Sequence, residues 1–235
     1  MFERGRAVPC QSEKEDSHLS VEWRKKVVFE AELAPSQLSR FDCRLEKGEE
    51  APAVPKPGLY GTTVTPDHIT VETADLVASV NARTGLLDVY RAGGIDFLEA
   101  GAFAPLVIAD NADPWGMKIR SFRNLEGRFA PAEPGEAARI SGLLGENLPS
   151  VRLIEDGPVR AVVESILCYG NSAIILRYKL PKRGAVVEVE VRVFWNEKDR
   201  MLKLSLPSKL SSPRFVGQVA FGADELPNDG DEAVS

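Results

Sequence analysis

Asp110, Asp113 and Trp115 place two carboxylates and a large aromatic within the stretch ADNADPWGM, residues 109–117. Such a trio can hold a sugar. Carboxylates accept hydrogen bonds from hydroxyls, and an indole face stacks on the apolar side of a pyranose ring. On residue chemistry alone the same stretch reads more readily as an Asx-Pro turn whose tryptophan plugs the end of a sandwich and meets no ligand. The apolar run at 105–108 just before it predicts a strand, so these side chains stand at a strand's mouth.

The other residue types capable of chemistry are thinly spread. His18 and His68 are the only histidines, and neither lies in a His-x-Asp or His-Glu-x-x-His pattern, so a self-contained zinc site has no sequence support. His18 falls in a charged, aperiodic segment; His68 opens a strand, where a partly exposed structural role is expected. Cys10, Cys43 and Cys168 are odd in number and unrelated in spacing, which implies no disulfide framework or metal cluster. Cys168 lies in an apolar strand and reads as a buried reduced thiol. No Gly-x-Ser-x-Gly elbow or glycine-rich phosphate loop occurs. The acidic stretch at 224–232 lacks the ligand spacing of an EF-hand. Glycoside hydrolysis needs two carboxylates a few ångströms apart, and 35 acidic residues say nothing about proximity.

A net charge of −6 and a pI near 5.2 exclude nucleic acid and anionic membrane surfaces as natural partners, because phosphates demand a basic face. No apolar stretch resembles a signal-peptide core or a membrane span, and a cytoplasmic protein is expected. With 43% hydrophobic residues the chain can build a sizeable core.

Short strands are predicted at 26–33 and from residue 41. EKGEEAPAVPKP, residues 46–57, is a linker by composition, which divides the chain into an N-terminal extension with a small β segment, 1–57, and a sandwich domain, 58–235. Strands are expected at 68–73, 76–80 and 86–90, the last two joined by a hairpin loop in which Gly85 supplies a positive φ. Turns at 155–158, 169–172, 181–184 and 196–199 punctuate a meander over 151–206. Val187, Val189, Val191 and Val193 alternate with Glu188, Glu190 and Arg192. A symmetric turn at Lys182 and Arg183 sets Arg177 opposite Glu188, so these carboxylates read as a solvated, charge-paired sheet face. Helical periods are few, and the fold class is all-β: a large antiparallel supersandwich preceded by the small β segment.

The stretch 110–116, behind ITVETADLVASVNARTGLLDVYRAGGIDFLEAGAFAPLVIAD, resembles the β-sandwich portion of bacterial α-mannosidases of glycoside hydrolase family 38. VRLIEDGPVRAVVES, YGNSAIILRYKLPKRGAVVEVEVRVFWNEKDRMLKLSLP and GQVAFGADEL are similar to later parts of that region, and VVFEAELAPSQLSRFDCRL to the small β region before it. The resemblance implies a galactose-mutarotase-like supersandwich. It also implies a parent enzyme that is a zinc-dependent, retaining exo-α-mannosidase acting on terminal α-mannosides or oligosaccharides through an aspartate nucleophile. Those groups belong to an N-terminal barrel that opens with His-x-Asp. This sequence has neither that motif nor βα alternation, so no catalytic or metal residue is carried over, and no cofactor is expected in this chain. Asp110, Asp113 and Trp115 become candidates for the rim of the sugar site, where the sandwich packs on the barrel.

Two functions of different class follow. One is a non-catalytic segment, inactive alone, that completes an α-mannosidase. The other is a free-standing carbohydrate-binding or scaffold sandwich. A mutarotase-like epimerase would need a histidine and a carboxylate on either side of a sugar carbon. Relative to the family the sandwich also stops short, which predicts an open sheet edge and self-association.

Overall fold

The computed structural model describes residues 1–13, 26–44, 60–110, 121–143, 145–211 and 214–226. The linker and domain boundary expected at 46–57 lie outside the described residues, as do His18, Asp113 and Trp115. What is described is nearly all antiparallel β structure.

The N-terminal segment forms two small sheets. Strand β1 (Phe2–Glu3) pairs with β2 (Arg6–Ala7) and β5 (Phe41–Asp42), while β3 (Cys10–Ser12) pairs with β4 (Val27–Phe29). Strand β4 is shorter than the predicted 26–33. The rings of Phe29 and Phe41 meet at 5.0 Å and join the two sheets. Gln11 then ties the segment to the rest: its Oε1 accepts hydrogen bonds from the backbone N–H of Val159 and of Arg160, both at 3.0 Å. Gly157 makes room, since a Cβ there would fall 2.4 Å from that oxygen.

The first large sheet contains β6 (Thr62–Val64), β7 (His68–Glu72), β8 (Leu76–Asn81), β9 (Leu87–Ala92) and β10 (Ile95–Asp96), paired in sequence order. Alternation along β7 and β8 sends Ile69, Val71, Leu76, Ala78 and Val80 inward, all buried. At the β8–β9 loop Gly85 has φ +72°, as expected. Its missing side chain matters twice, because a Cβ there would lie 2.9 Å from Ser165 Cβ on the opposing sheet. Tyr178 from that sheet donates its hydroxyl to Gly85 O at 3.0 Å.

Strand β11 (Ala104–Ala109) leads to β12 (Leu125–Arg128), β13 (Ala130–Pro131) and helix α1 (Pro134–Ile140). The second large sheet follows: β14 (Val151–Asp156), β15 (Arg160–Tyr169), β16 (Ser172–Pro181) and β17 (Glu188–Phe194). Its order is β13-β15-β16-β17, with β14 also paired to β15. Ala161, Val163 and Leu167 of β15 and Ile174, Leu176, Tyr178 and Leu180 of β16 pack against the first sheet to form the sandwich core. Burying each large apolar side chain stabilises the fold by about 1.5–3 kcal/mol. The opposite face of β15 is buried too, because α1 lays Ala137 over Ile166 and Ile175. That double burial explains why β15 reads as a continuous apolar run and does not alternate.

Three sequence expectations need correction. Helix α1 was not anticipated; it spans seven residues and buries only alanines, too little for a visible period. The register of β16 on β17 sets Arg177 opposite Glu190 and Lys179 opposite Glu188. The turn is centred one residue later than the symmetric guess, with Gly184 at φ +72°. The solvated-face reading stands, since Glu190 lies 3.3 Å from Lys179 and 3.8 Å from Arg177. Last, the meander stops at β17. Strand β18 (Arg200–Ser205) crosses over to pair with β11 in a separate sheet, β12-β11-β18. A final hairpin, β19 (Phe215–Val219) and β20 (Gly222–Leu226), pairs only with itself among the described residues.

Candidate functional site

Strand β11 delivers Asp110, and its neighbours fix where Asp110 sits. Ala109 is opposite Arg200 at the start of β18, and the Asp110 N–H donates to Asp199 O at 3.0 Å. Asp199 has φ +53°, a left-handed conformation that aspartate tolerates better than most residues, and so can present that carbonyl at the turn. The N–H of Ala109 donates to Asn124 O at 2.8 Å, which holds the end of β11 beside Asn124. Lys203 Nζ donates to Phe122 O at 2.8 Å and lies 5.8 Å from the centroid of the Phe122 ring. Asp110 is thus at a strand's mouth, as expected. Asp113 and Trp115 lie outside the described residues.

What surrounds the base of that loop is polar and of mixed charge. Arg200 Nε donates to Glu126 Oε2 at 2.6 Å, and this hydrogen bond, with the carboxylate's charge, raises the guanidinium above its ordinary value. Glu197 Oε1 accepts from Asn171 N at 2.9 Å and from Ser172 Oγ at 3.1 Å, locking the β15–β16 turn to the β17–β18 turn. Beside them Phe129 stacks on Trp195 at 6.4 Å and tilts against Tyr169 at 5.8 Å. Gly127 lets Tyr169 approach; a Cβ there would fall 2.3 Å from the ring. The aromatic platform at this end of the sandwich therefore consists of Phe129, Tyr169 and Trp195, which sequence reasoning did not single out. Their separation along the chain hides them.

His68 has a partner that the sequence concealed. Its Nε2 lies 3.1 Å from Asp88 Oδ2, which also accepts from Asn81 Nδ2 at 2.8 Å, while Asp88 Oδ1 accepts from Gly101 N at 3.1 Å. Asp88 is the extra residue of a β-bulge: Ser79 pairs with Val89 and Val80 with Leu87. The bulge turns the carboxylate onto the outer face toward His68. Histidine and carboxylate touch one another, leaving no gap for a sugar carbon between acid and base as epimerisation would need. A structural clamp on β7, β8 and β9 accounts for all of these bonds.

An apolar groove of about 280 Å³ is lined by Leu87, Tyr90, Phe97, Phe103, Val187 and Val189, among others. It lacks the convergent carboxylates a sugar calls for. Among the described residues no group of three or more His, Cys, Asp or Glu side chains could hold a metal ion. No helix among the described residues is long and apolar enough to cross a membrane. The three thiols are unpaired, and burial raises Cys168 above its ordinary value.

Comparison with curated proteins gives no match. A family model does match: "Glycosyl hydrolases family 38 C-terminal domain" aligns with residues 132–233. That stretch begins just before α1 and takes in all of the second sheet's long strands. Residues 132–233 of this chain, antiparallel β apart from α1, are thus similar to the C-terminal domain of glycosyl hydrolase family 38.

Proposed function

We propose that the chain supplies a non-catalytic β-sandwich to a zinc-dependent, retaining α-mannosidase and packs on a catalytic barrel carried by the same or another polypeptide. The family match over 132–233 is the observation that carries this reading. The loop after β11, with Asp110, Asp113 and Trp115, is the proposed rim of the sugar site. Its support is the way Asn124 and Asp199 hold its base at the sandwich end. Zinc belongs to the barrel in this reading.

Three measurements test the proposal. The chain alone is expected not to hydrolyse 4-nitrophenyl α-mannoside, and calorimetric titration with mannobiose should show no saturable binding. Saturable binding would replace the proposal with a free-standing carbohydrate-binding module. In an assembled enzyme, Trp115→Ala and Asp113→Ala should each lower kcat/KM by about tenfold or more, a loss of about 1.4 kcal/mol of transition-state stabilisation. Unchanged kcat/KM in both variants would remove the loop from the site.

A further inference from the structure

We propose that two copies of this chain associate by pairing their β17 strands antiparallel, edge to edge, about a two-fold axis through Val191. This inference is independent of the mannosidase reading.

Strand β17 ends its sheet and, among the described residues, pairs only with β16. Proteins usually blunt such edges by brevity, proline, bulges or charge. Most other edges here show one of these devices. Strands β6, β10 and β13 have three residues or fewer, β13 includes Pro131, and β12 and β14 sit at register shifts. Strand β17 has seven residues, no proline, and seven pairs with β16 in unbroken register. At its end Val193 and Phe194 are 41% and 50% exposed.

The charge pattern then selects the occupant. Opposite residues of an antiparallel pair point to the same face. Pairing about Val191 sets Val191 against itself and Val189 against Val193. It also sets Glu190 against Arg192 of the second copy, and the two-fold axis repeats that attraction. Centring instead on Glu190 or Arg192 brings a charge against its own copy, and centring on Val189 opposes Glu188 to Glu190; like charges directly opposed repel. Within one copy Arg192 Nη2 already lies 3.6 Å from Glu190 Oε1, yet the two side chains remain 40% and 34% exposed, so a second copy can meet both. Among the described residues β12 offers one similar register, Glu126 opposite Arg128 about Gly127, but it has only four residues and its pairing with β11 is broken by a register shift; β18 carries only the positive charges of Arg200 and Lys203, β20 only the negative ones of Asp224 and Glu225, and β19 has Gly217 at its centre. The pairing is isologous, so it closes at two copies and does not propagate.

Light scattering on the full chain after size exclusion tests this. The mass should rise from 25.7 kDa toward twice that value with increasing concentration. Arg192→Glu should stay monomeric over the same range, as should Glu190→Arg, and mixing the two variants should restore the dimer because each supplies the charge the other lost. Circular dichroism checks that each variant folds. Should Glu190→Arg fail to fold beside Arg177 and Lys179, a cysteine pair replaces it. With Cys10, Cys43 and Cys168 changed to Ser, Val191→Cys should form a reducible cross-linked dimer and Val189→Cys should not, because only the axial residue meets its own copy at about 5 Å. A monomer at every concentration, open-ended aggregates, an Arg192→Glu chain that dimerises like the wild type, or equal cross-linking from both cysteines would each overturn the proposal.

Discussion

Glu164 lies on the outer face of the second sheet with its side chain 4% exposed. Two arginines make this tolerable. Arg152 Nη2 reaches Oε1 from β14, and Arg177 Nε reaches Oε2 from β16 at 2.8 Å. The desolvation cost of three nearly buried ions is set against their mutual attraction, and such a triad contributes little net stability while being costly to break. Arg152 Nη1 already lacks a hydrogen-bond partner. Glu164→Ala should therefore destabilise the protein by about 3–5 kcal/mol. Replacing all three residues by Met, Leu and Met should recover most of that loss. Urea midpoints at constant slope would measure both; equal losses in the two variants would show that packing, not charge, holds this face.

At the scale of elements, the glycine at the β8–β9 loop is where local conformation and packing coincide. Gly85→Ala meets a left-handed backbone costing about 1–2 kcal/mol, plus crowding against Ser165. Adding Ser165→Gly should return the crowding part and leave the backbone part, so the double-mutant cycle should show a favourable coupling. Strict additivity in thermal melts would mean the loop retreats from β15. This loop was legible from sequence because turn chemistry and flanking alternation agree over 76–90. The strands of 151–194 were legible for the same reason. Three things left no local mark: the single residue by which Gly184 shifts the β16–β17 turn, the bulge that turns Asp88 toward His68, and the departure of β18 to β11. Each is decided by tertiary pairing, and a hydrophobic pattern reports faces without naming neighbours. Of the site, Asp110 was legible through the apolar run before it, whereas the Phe129, Tyr169 and Trp195 platform needed the fold.

For the whole molecule, Gln11 and the ion pair of Glu30 with Arg183 tie the N-terminal segment to the second sheet. The Gln11 carboxamide occupies two backbone donors of the β14–β15 turn, and Arg160 adds ion pairs to Glu155 at 3.2 Å and Glu13 at 3.6 Å. In Gln11→Ala the amides of Val159 and Arg160 should exchange hydrogen faster, while amides in the centre of β16 keep their protection. Unchanged exchange at both amides would show that the segment is not anchored through this side chain. The crossing of β18 to β11 has a different kind of consequence. Ala104 pairs with Ser205 and Ala109 with Arg200, so β11 leaves the ribosome on the order of 5–20 s before its partner exists. Through that interval the strand has only β12 beside it, and Val107 and Ile108, buried in the finished protein, wait without their final cover. The sandwich can begin from its hairpins, but β11 gains its second neighbour only after β18 has been made.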